Sequence, residues 1–233
     1  MAHNWLLVRL GLVDYLEAWG LQQRLLKARQ EERIDDVLLL LQHPHVYTLG
    51  RRARPEHVLI PQDELARRGV ALYSVDRGGD VTYHGPGQIV GYPILNLRHR
   101  GLDVHRYIRG LEEALIGTMS DLGIEVHRDL RHTGVWVGEE KIAAIGVRVS
   151  RGVTMHGFAL NVNTDLSYFD HIVPCGIEDR GVTSVASILG HHVELDLAEG
   201  LVAENMAQVY GGKMVEVDLA EVELSLTAVA LTS

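Results

Sequence analysis

The sequence predicts an α/β fold of the α+β kind, with a mixed β-sheet flanked by helices. Along its 233 residues, short apolar runs of strand length alternate with longer segments of helical periodicity. Four predicted strands in the second half follow one another closely, with room only for a tight turn at Glu139 and Glu140, so hairpins exclude a purely parallel sheet. Hydrophobic residues make up 46% of the chain, enough for the core of one domain spanning 1–233.

Helical and strand patterns alternate in the first half of the chain. Leu16, Leu21 and Leu25 recur at helical spacing, and Pro61 suits the first turn of a second, short helix. The apolar run 37–41 is short enough for a buried strand. The sequence therefore predicts helices at 14–33 and 61–68, a loop between 42 and 61, and strands at 4–10, 36–42, 70–76 and from the glycine-rich segment to about 97.

The clearest helix of the second half is predicted at 103–122. Tyr107, Leu111 and Leu115 lie on one stripe of it, and Gly123 is a stop signal. The remaining patterns predict strands at 124–127, 133–137, 141–150 and 153–161, a long loop at 162–182, and helices at 183–189 and 197–210. The last segment, 215–233, alternates like a strand but is rich in alanine and leucine like a helix, so both structures stay open.

Charge is distributed unevenly along the chain. The net charge is −9, made up of −1 over 1–50, +2 over 51–151 and −10 over 152–233. The middle of the chain therefore offers arginines to an acidic partner, and the absence of a dense basic stripe argues against nucleic acid. The sequence contains no run of about 18 apolar residues, the length that a membrane span needs, and no export signal is visible. A single cysteine agrees with a reducing environment, so we expect a cytoplasmic protein.

The longest unusual feature is the glycine-rich segment 77–88, Arg-Gly-Gly-Asp-Val-Thr-Tyr-His-Gly-Pro-Gly-Gln. It is not a Walker loop, because no Gly-Lys-Ser/Thr follows, and its glycine spacing does not match the dinucleotide-binding fingerprint. Its glycines let the backbone approach a ligand closely, with Arg77 and His84 near the two ends. An ordinary glycine hairpin is the alternative.

The lone cysteine and one of three lysines are candidate catalytic residues. Cys175 lies between Pro174 and Gly176, a setting that suits a rigid exposed loop better than a packed core. A thiol reacts as its thiolate, which a nearby ammonium stabilises. Lys141 is the lysine that lies among the motifs, in a region where arginine otherwise carries the positive charge. The alternative is an inert buried cysteine.

Thirteen histidines raise the question of a metal site. No Cys₂His₂ or His-Glu-x-x-His spacing occurs, so surface histidines are the preferred interpretation and no metal is expected. His84 and His156 differ, because both lie in motif segments. Each would orient a substrate or satisfy a turn, and the sequence does not decide between these roles.

Together these segments resemble the lipoyl (octanoyl) transferase family. The first block is 77–88, the second combines 134–137 with 141–146, and the third is 156–163, followed by Pro174–Gly176. The similarity is strongest over 35–190. The sequence departs from the family pattern at Ala144, where serine is frequent, and at Asp80, where Gln or Lys is common.

The resemblance implies the fold of biotin and lipoate protein ligases and a single catalytic domain that transfers an octanoyl group without a cofactor. It assigns Cys175 as the nucleophile and Lys141 as the lysine that assists it. The substrate-binding residues that it implies lie in three segments: Arg77, Gly78, Gly79, Asp80, Val81, Thr82, Tyr83 and His84; Ala144, Ile145 and Gly146; and Gly157, Phe158 and Ala159.

The implied donor is octanoyl-acyl carrier protein, and the implied acceptors are the lipoyl domains of 2-oxoacid dehydrogenases and the glycine cleavage H protein. Cys175 would form an octanoyl thioester, and Lys141, once neutral, would take a proton from the attacking lysine. Three alternatives stay open: an ATP-dependent lipoate or biotin ligase, a catalytically silent module that docks lipoyl domains, and a thioesterase. Arg51, Arg52, Arg54 and Arg148 are the arginines expected to dock the acidic donor.

Overall fold

A computed structural model of the chain describes residues 4–177 and 179–227. The strands are β1 Asn4–Leu12, β2 Asp36–Gln42, β3 Val46–Leu49, β4 Ala71–Ser74, β5 Val81–His84, β6 Gln88–Ile94, β7 His127–Arg128, β8 Val135–Val137, β9 Glu140–Ser150, β10 Val153–Asn161, β11 Gly181–Val182 and β12 Lys213–Glu216. The helices are α1 Tyr15–Gln30, α2 Gln62–Arg67, α3 Val104–Asp121, α4 Val185–Leu189, α5 Leu195–Tyr210 and α6 Leu219–Thr227, with short 3₁₀ turns at Pro55–His57, Leu166–His171 and Pro174–Gly176.

The larger of two sheets has the strand order β12-β1-β2-β6-β10-β9-β8-β7, and β11 pairs with β9 at the side of this path. β1 runs parallel to β12 and to β2, and β11 runs parallel to β9. The pairs β2–β6, β6–β10, β10–β9, β9–β8 and β8–β7 are antiparallel. The sheet is therefore mixed, which confirms the predicted fold class.

The core lies on both faces of the large sheet. Successive side chains of a strand point to opposite faces, so the run of leucines in β2 supplies both layers. Leu38 and Leu40 pack with helices α3 and α5 on one face, whereas Leu39 and Leu41 pack with α1 on the other. Asp14 and Asp103 cap α1 and α3 by accepting hydrogen bonds from backbone N–H groups of the first turn.

The smaller sheet has the order β4-β3-β5, with β3 parallel to β4 and antiparallel to β5. Its own apolar cluster includes Tyr47, Val81, Tyr83 and Phe169. The loop that leads to Cys175 packs on this sheet, because Phe169 and Ile172 belong to the same apolar cluster. The glycine-rich segment thus belongs to one sheet and the small residues of β9 and β10 to the other.

Several element boundaries differ from the sequence-based prediction. β3 lies in the segment predicted as loop, and β5 lies inside the glycine-rich segment. The strand predicted at 124–127 is reduced to the two residues of β7, and the tight turn lies at Gly138 and Glu139 because β9 already begins at Glu140. The final segment, for which the sequence left strand and helix undecided, contains one of each, β12 and α6. Its last residues, 228–233, lie outside the described part of the chain.

Among the described residues, none of the helices has the length and apolar character that crossing a membrane requires.

Candidate active site

The floor of the candidate site is a ladder of small residues in β9 and β10. Gly146 lies directly opposite Gly157, and Ala144 lies directly opposite Ala159. Opposed side chains of an antiparallel pair share one face of a sheet, so this face carries almost no side-chain bulk here. Two of the three segments that the family resemblance assigned to acyl binding, 144–146 and 157–159, are therefore neighbours in space.

One wall of the site is the segment from Arg77 to His84. Gly78 donates its backbone N–H to Val147 O at 2.9 Å, which ties this wall to β9. A Cβ at Gly146 would lie 3.0 Å from Gly78 O and 3.2 Å from the Arg77 side chain. Gly146 therefore gives the wall the room to approach the floor.

Strand alternation divides this wall between two environments. Thr82 and His84 line the cavity, together with Arg77, Gly79 and Asp80 before them. Val81 and Tyr83 point the opposite way and pack in the small sheet's own cluster. The family resemblance implied substrate binding by Gly78, Val81 and Tyr83 as well, but none of the three lines the cavity, and Gly78 instead anchors the wall.

The wall and the floor enclose an apolar cavity of about 460 Å³, counting its opening to solvent. Tyr15, Tyr92 and His156 line it, and so does Cys175, which also lines two neighbouring pockets. The full lining is Tyr15, Arg77, Gly79, Asp80, Thr82, His84, Tyr92, Ala144, Ile145, Gly146, His156, Gly157, Phe158, Ala159 and Cys175.

Cys175 has an unusual backbone conformation at the mouth of this cavity. Its φ of 58° and ψ of 14° place it in the left-handed region, which non-glycine residues seldom adopt. Its loop is held by a hydrogen bond from Val173 N–H to His57 O at 2.8 Å and by one from Gly176 N–H to Val173 O at 3.0 Å. Strained residues of this kind cluster at functional sites.

Lys141 lies in a smaller recess that Cys175 also lines. Its residue is only 7% exposed, and its ammonium lies 4.8 Å from the centroid of the Trp136 ring. Among the described residues, no carboxylate lies within 4 Å of the Lys141 ammonium. A buried ammonium without a carboxylate partner is available to an anion that forms on Cys175.

Arg77 brings a second buried cation to the cavity. Its guanidinium donates to Thr48 O at 2.6 Å and to Gly78 O at 2.9 Å, rather than to a carboxylate. Burial lowers the pKa of Arg77, and the negative charge of a Cys175 thiolate is the largest influence that opposes this shift. The thiolate and the guanidinium are therefore electrostatically coupled.

The two motif histidines, His84 and His156, both line the cavity and are held by polar partners. His84 Nδ1 lies 2.8 Å from Gln88 Oε1, and His156 Nε2 lies 2.8 Å from Asp76 Oδ1. Burial lowers the pKa of His84 well below 6.5, so its imidazole is neutral near pH 7. Burial also lowers the pKa of His156, and its hydrogen bond to Asp76 works against that shift.

A wide polar cleft opens on the outer side of Cys175. Arg52, Arg54 and Arg131 line it, together with His57 and Lys141. Arg52 and Arg54 are exposed, and no carboxylate among the described residues lies within 4 Å of their side chains. Arg148 differs from them, because it forms an ion pair with Asp76 at 2.5 Å.

The structure adds cavity residues that sequence reasoning did not select. Tyr15 and Tyr92 line the apolar cavity, and His57 lies beside the cysteine loop. Tyr15 is the first residue of α1, and no motif marks it. Among the described residues, no cluster of three or more His, Cys, Asp or Glu side chains has the arrangement to hold a metal ion.

Solved structures with similar folds include lipoate and biotin protein ligases. A lipoate-protein ligase A bound with ATP superposes with a TM-score of 0.72 at 18% identity, covering 100% of this chain and 95% of that one. A bi-partite lipoate protein ligase from Thermoplasma acidophilum, described with its E2 lipoyl domain, gives 0.74 at 18% identity, covering 100% and 93%. The apo biotin protein ligase of Aquifex aeolicus gives 0.50 at 13% identity, covering 89% and 68%.

Sequence comparison finds much more similar relatives. An octanoyltransferase from Caldicellulosiruptor saccharolyticus is 52% identical over 206 residues, 88% of this chain and 88% of that protein. An octanoyltransferase from Chloroflexus aggregans is 54% identical over 198 residues, 83% of this chain and 90% of that protein. These matches confirm the resemblance predicted from the motifs. The model of the lipoyl protein ligase A/B catalytic domain matches residues 14–207, and the chain belongs to that family.

Proposed function

We propose that this chain is an octanoyltransferase that moves a medium-chain acyl group from acyl carrier protein to a lysine of a lipoyl domain, through a thioester on Cys175. One observation carries the mechanism: Cys175 lies where the apolar cavity, the recess of Lys141 and the open cleft meet. The relatives named octanoyltransferase, at 52% to 54% identity, support the acyl group and the reaction class.

In the first half-reaction, the Cys175 thiolate attacks the donor's thioester carbonyl. A C–S bond forms on Cys175, the donor's C–S bond breaks, and its electron pair stays on the carrier sulfur, which leaves as a thiolate. Lys141 and Arg77 favour the thiolate before attack. Gly176 N–H already donates to Val173 O, so we assign the oxyanion to the backbone N–H of Cys175 itself. Thioester exchange is nearly isoenergetic, and no ATP is consumed.

In the second half-reaction, the lysine amine of the acceptor attacks octanoyl-Cys175. An amide C–N bond forms, the amine nitrogen releases one proton, the C–S bond breaks, and Cys175 leaves as a thiolate beside Lys141. During the exchange of partners, the apolar cavity holds the acyl chain and the small residues of β9 and β10 leave it room. The residues proposed to bind the chain are those that line the cavity from the three predicted segments.

The proposed donor and acceptor proteins would both reach Cys175 through the open cleft. The donor, octanoyl-acyl carrier protein, is acidic, and the exposed Arg52 and Arg54 border the cleft that leads to Cys175. The proposed acceptors are the lipoyl domains of 2-oxoacid dehydrogenases and the glycine cleavage H protein. The E2 lipoyl domain described with the Thermoplasma ligase supports this class of acceptor.

Intact-mass measurement after mixing the protein with octanoyl-acyl carrier protein, without ATP, tests the proposal. We expect one octanoyl group per chain, none on Cys175→Ser, and transfer of that group when a lipoyl domain is added. Full transfer by Cys175→Ser would contradict the covalent mechanism.

The same assay separates the competing activities. An ATP-dependent ligase would use free octanoate with ATP and would not need Cys175. A thioesterase would release octanoate from the thioester even when no acceptor is present, and a silent docking module would acquire no octanoyl group.

A further inference from the structure

His57 and Asp80 form a buried pair beside the loop that carries the nucleophile. His57 Nδ1 lies 2.7 Å from Asp80 Oδ2, and each side chain is only 10% exposed. A Cβ at Gly176 would lie 2.8 Å from the same Asp80 oxygen and 3.2 Å from His57 Cε1. The pair therefore touches the residue that follows Cys175.

The hydrogen bonds of Asp80 determine which nitrogen of His57 carries the proton. Asp80 Oδ1 accepts from Val81 N–H at 2.7 Å, and Oδ2 faces His57 Nδ1. An ionised carboxylate only accepts hydrogen bonds, so Nδ1 is the donor and Nε2 keeps its lone pair. Among the described residues, no group bonds to Nε2, and His57 lines the cleft with Lys141 and Cys175.

We propose that His57 is the general base that deprotonates the acceptor amine, and that Asp80 is the positioning residue that holds its imidazole. This role rests on the proposed function, since it belongs to the second half-reaction. In many enzymes a carboxylate accepts a hydrogen bond from one nitrogen of an imidazole, which leaves the other nitrogen as a base for the reacting group.

The proton and electron pairs balance in this step. The amine nitrogen bonds to the carbonyl carbon of octanoyl-Cys175, and His57 Nε2 takes one proton from that nitrogen. The C–S bond then breaks, and its electron pair stays on the Cys175 sulfur. The imidazolium, stabilised by the Asp80 carboxylate, afterwards returns the proton to water, which restores the starting state.

Lys141 is placed for a different role. Its ammonium lies over the Trp136 ring, in the recess that Cys175 also lines. Nε2 of His57, in contrast, has no hydrogen-bond partner among the described residues, and its residue borders the open cleft. The two residues therefore divide the work: Lys141 stabilises the thiolate, and His57 accepts the proton.

Single-turnover transfer measures this role directly. Octanoyl-Cys175 protein is prepared from the carrier-bound donor, freed of donor and mixed with a lipoyl domain, and intact mass follows amide formation. We expect His57→Gln to slow this transfer by about 10²- to 10⁴-fold. Asp80→Asn, which preserves the side-chain shape, should also slow it, because the favoured imidazole tautomer changes.

His99→Gln is a matched control for loss of a histidine paired with a carboxylate. His99 Nε2 lies 3.0 Å from Glu32 Oε1, and His99 lines neither the cavity nor the cleft. We expect this variant to transfer the acyl group at the wild-type rate.

A second readout distinguishes a base from a support for the loop. Hydroxylamine is neutral at pH 7 and reacts with thioesters without a base, so it should cleave octanoyl-Cys175 equally fast in wild type and His57→Gln. Added imidazole should restore part of the transfer in that variant, and the rate of acylation by the donor should change little.

Three results would overturn the proposal. If His57→Gln transfers the acyl group at the wild-type rate, His57 is not the general base. If acylation and hydroxylamine cleavage are slowed in His57→Gln as much as transfer is, then His57 only supports the cysteine loop. A wild-type protein that never acquires the octanoyl group would reject the proposed function, and this role with it.

Discussion

The Lys141 ammonium lies over the Trp136 ring, 4.8 Å from its centroid, and the Arg180 guanidinium lies 5.6 Å from the same centroid. Arg180 also forms ion pairs with Asp129 and Glu139. Lys141 has no carboxylate within 4 Å in the described part of the chain. Trp136 therefore holds the lysine in place without neutralising it, which leaves its charge to act on Cys175.

This arrangement predicts the reactivity of the thiol. Lys141→Met keeps the side-chain length but removes the charge. We expect alkylation of Cys175 at pH 7 to slow by roughly tenfold or more, because a cation that shares a pocket with a thiol favours the thiolate. Iodoacetamide labelling followed by intact mass measures the rate. The control is Lys213→Met at an exposed position. Equal rates for wild type and Lys141→Met would leave Lys141 with a structural role.

The open cleft predicts how the donor binds. Replacing Arg52 and Arg54 together by alanine should raise KM for octanoyl-acyl carrier protein roughly five- to tenfold, since two attractive charges at the cleft are lost. Arg67→Ala, which removes an arginine already paired with Asp63 and Glu64, should change KM little.

Salt dependence checks the same docking surface. Screening acts within about 8–10 Å at physiological salt, so kcat/KM for the carrier-bound donor should fall as salt rises. A small uncharged octanoyl thioester should respond much less. Equal salt sensitivity of the two donors would remove the role of these arginines.

The floor of the cavity predicts a stability effect. A Cβ at Gly157 would collide with Gly91 O and lie 2.6 Å from Pro93 Cδ, so Gly157→Ala should lower the free energy of unfolding by about 1–3 kcal/mol. Gly200→Ala is the control, because it lies inside α5 with no atom within 4 Å of the new Cβ. That change should instead raise stability by about 0.5–1 kcal/mol. Urea unfolding measures both, and unchanged stability of Gly157→Ala would contradict the close approach of β10 to β6.

A buried histidine predicts how stability depends on pH. Burial lowers the pKa of His43 to about 4, and its ring lies between Val13 O and the Tyr92 hydroxyl. Below about pH 6.5 the unfolded chain protonates this residue while the folded protein does not, so acid favours unfolding. Between pH 7 and pH 5 the stabilisation lost through His43 should be about 2 kcal/mol.

Urea unfolding at both pH values measures this difference. Between pH 7 and pH 5, the free energy of unfolding should fall by about 2 kcal/mol less in His43→Gln than in wild type, because glutamine does not titrate. The exposed His191→Gln should keep the wild-type loss. A loss in His43→Gln as large as that of wild type would mean that His43 does not control this pH range.

The sequence predicted the elements with strong periodicity and missed those that depend on tertiary pairing. The leucine run of β2 and the stripe of α3 are recognisable because their side chains are buried in a regular pattern. β3 has only four residues and follows His43-Pro44-His45, so its local composition is that of a loop. Its pairing with β4 and β5, which are distant in sequence, is what makes it a strand.

The candidate site shows the same division. Sequence context selected Cys175 and Lys141, and the family resemblance added the small residues, because a reactive thiol and close backbone approach impose recognisable residue types. Tyr15 and His57 carry no such mark: they reach the site only through the packing of α1 and of the 3₁₀ turn at Pro55–His57. Asp80 departs from the family pattern, and its partner His57 is visible only in three dimensions.

The walls of the apolar cavity come from both sheets, and this has a consequence for the catalytic cycle. An acyl chain carried on Cys175 would fill the space between the sheets and act as a temporary member of the hydrophobic core. Each methylene buried there stabilises the folded state by about 0.8 kcal/mol. The acylated protein would therefore melt at a higher temperature than the free one, and every transfer would loosen the contact between the sheets until the next acyl chain arrives.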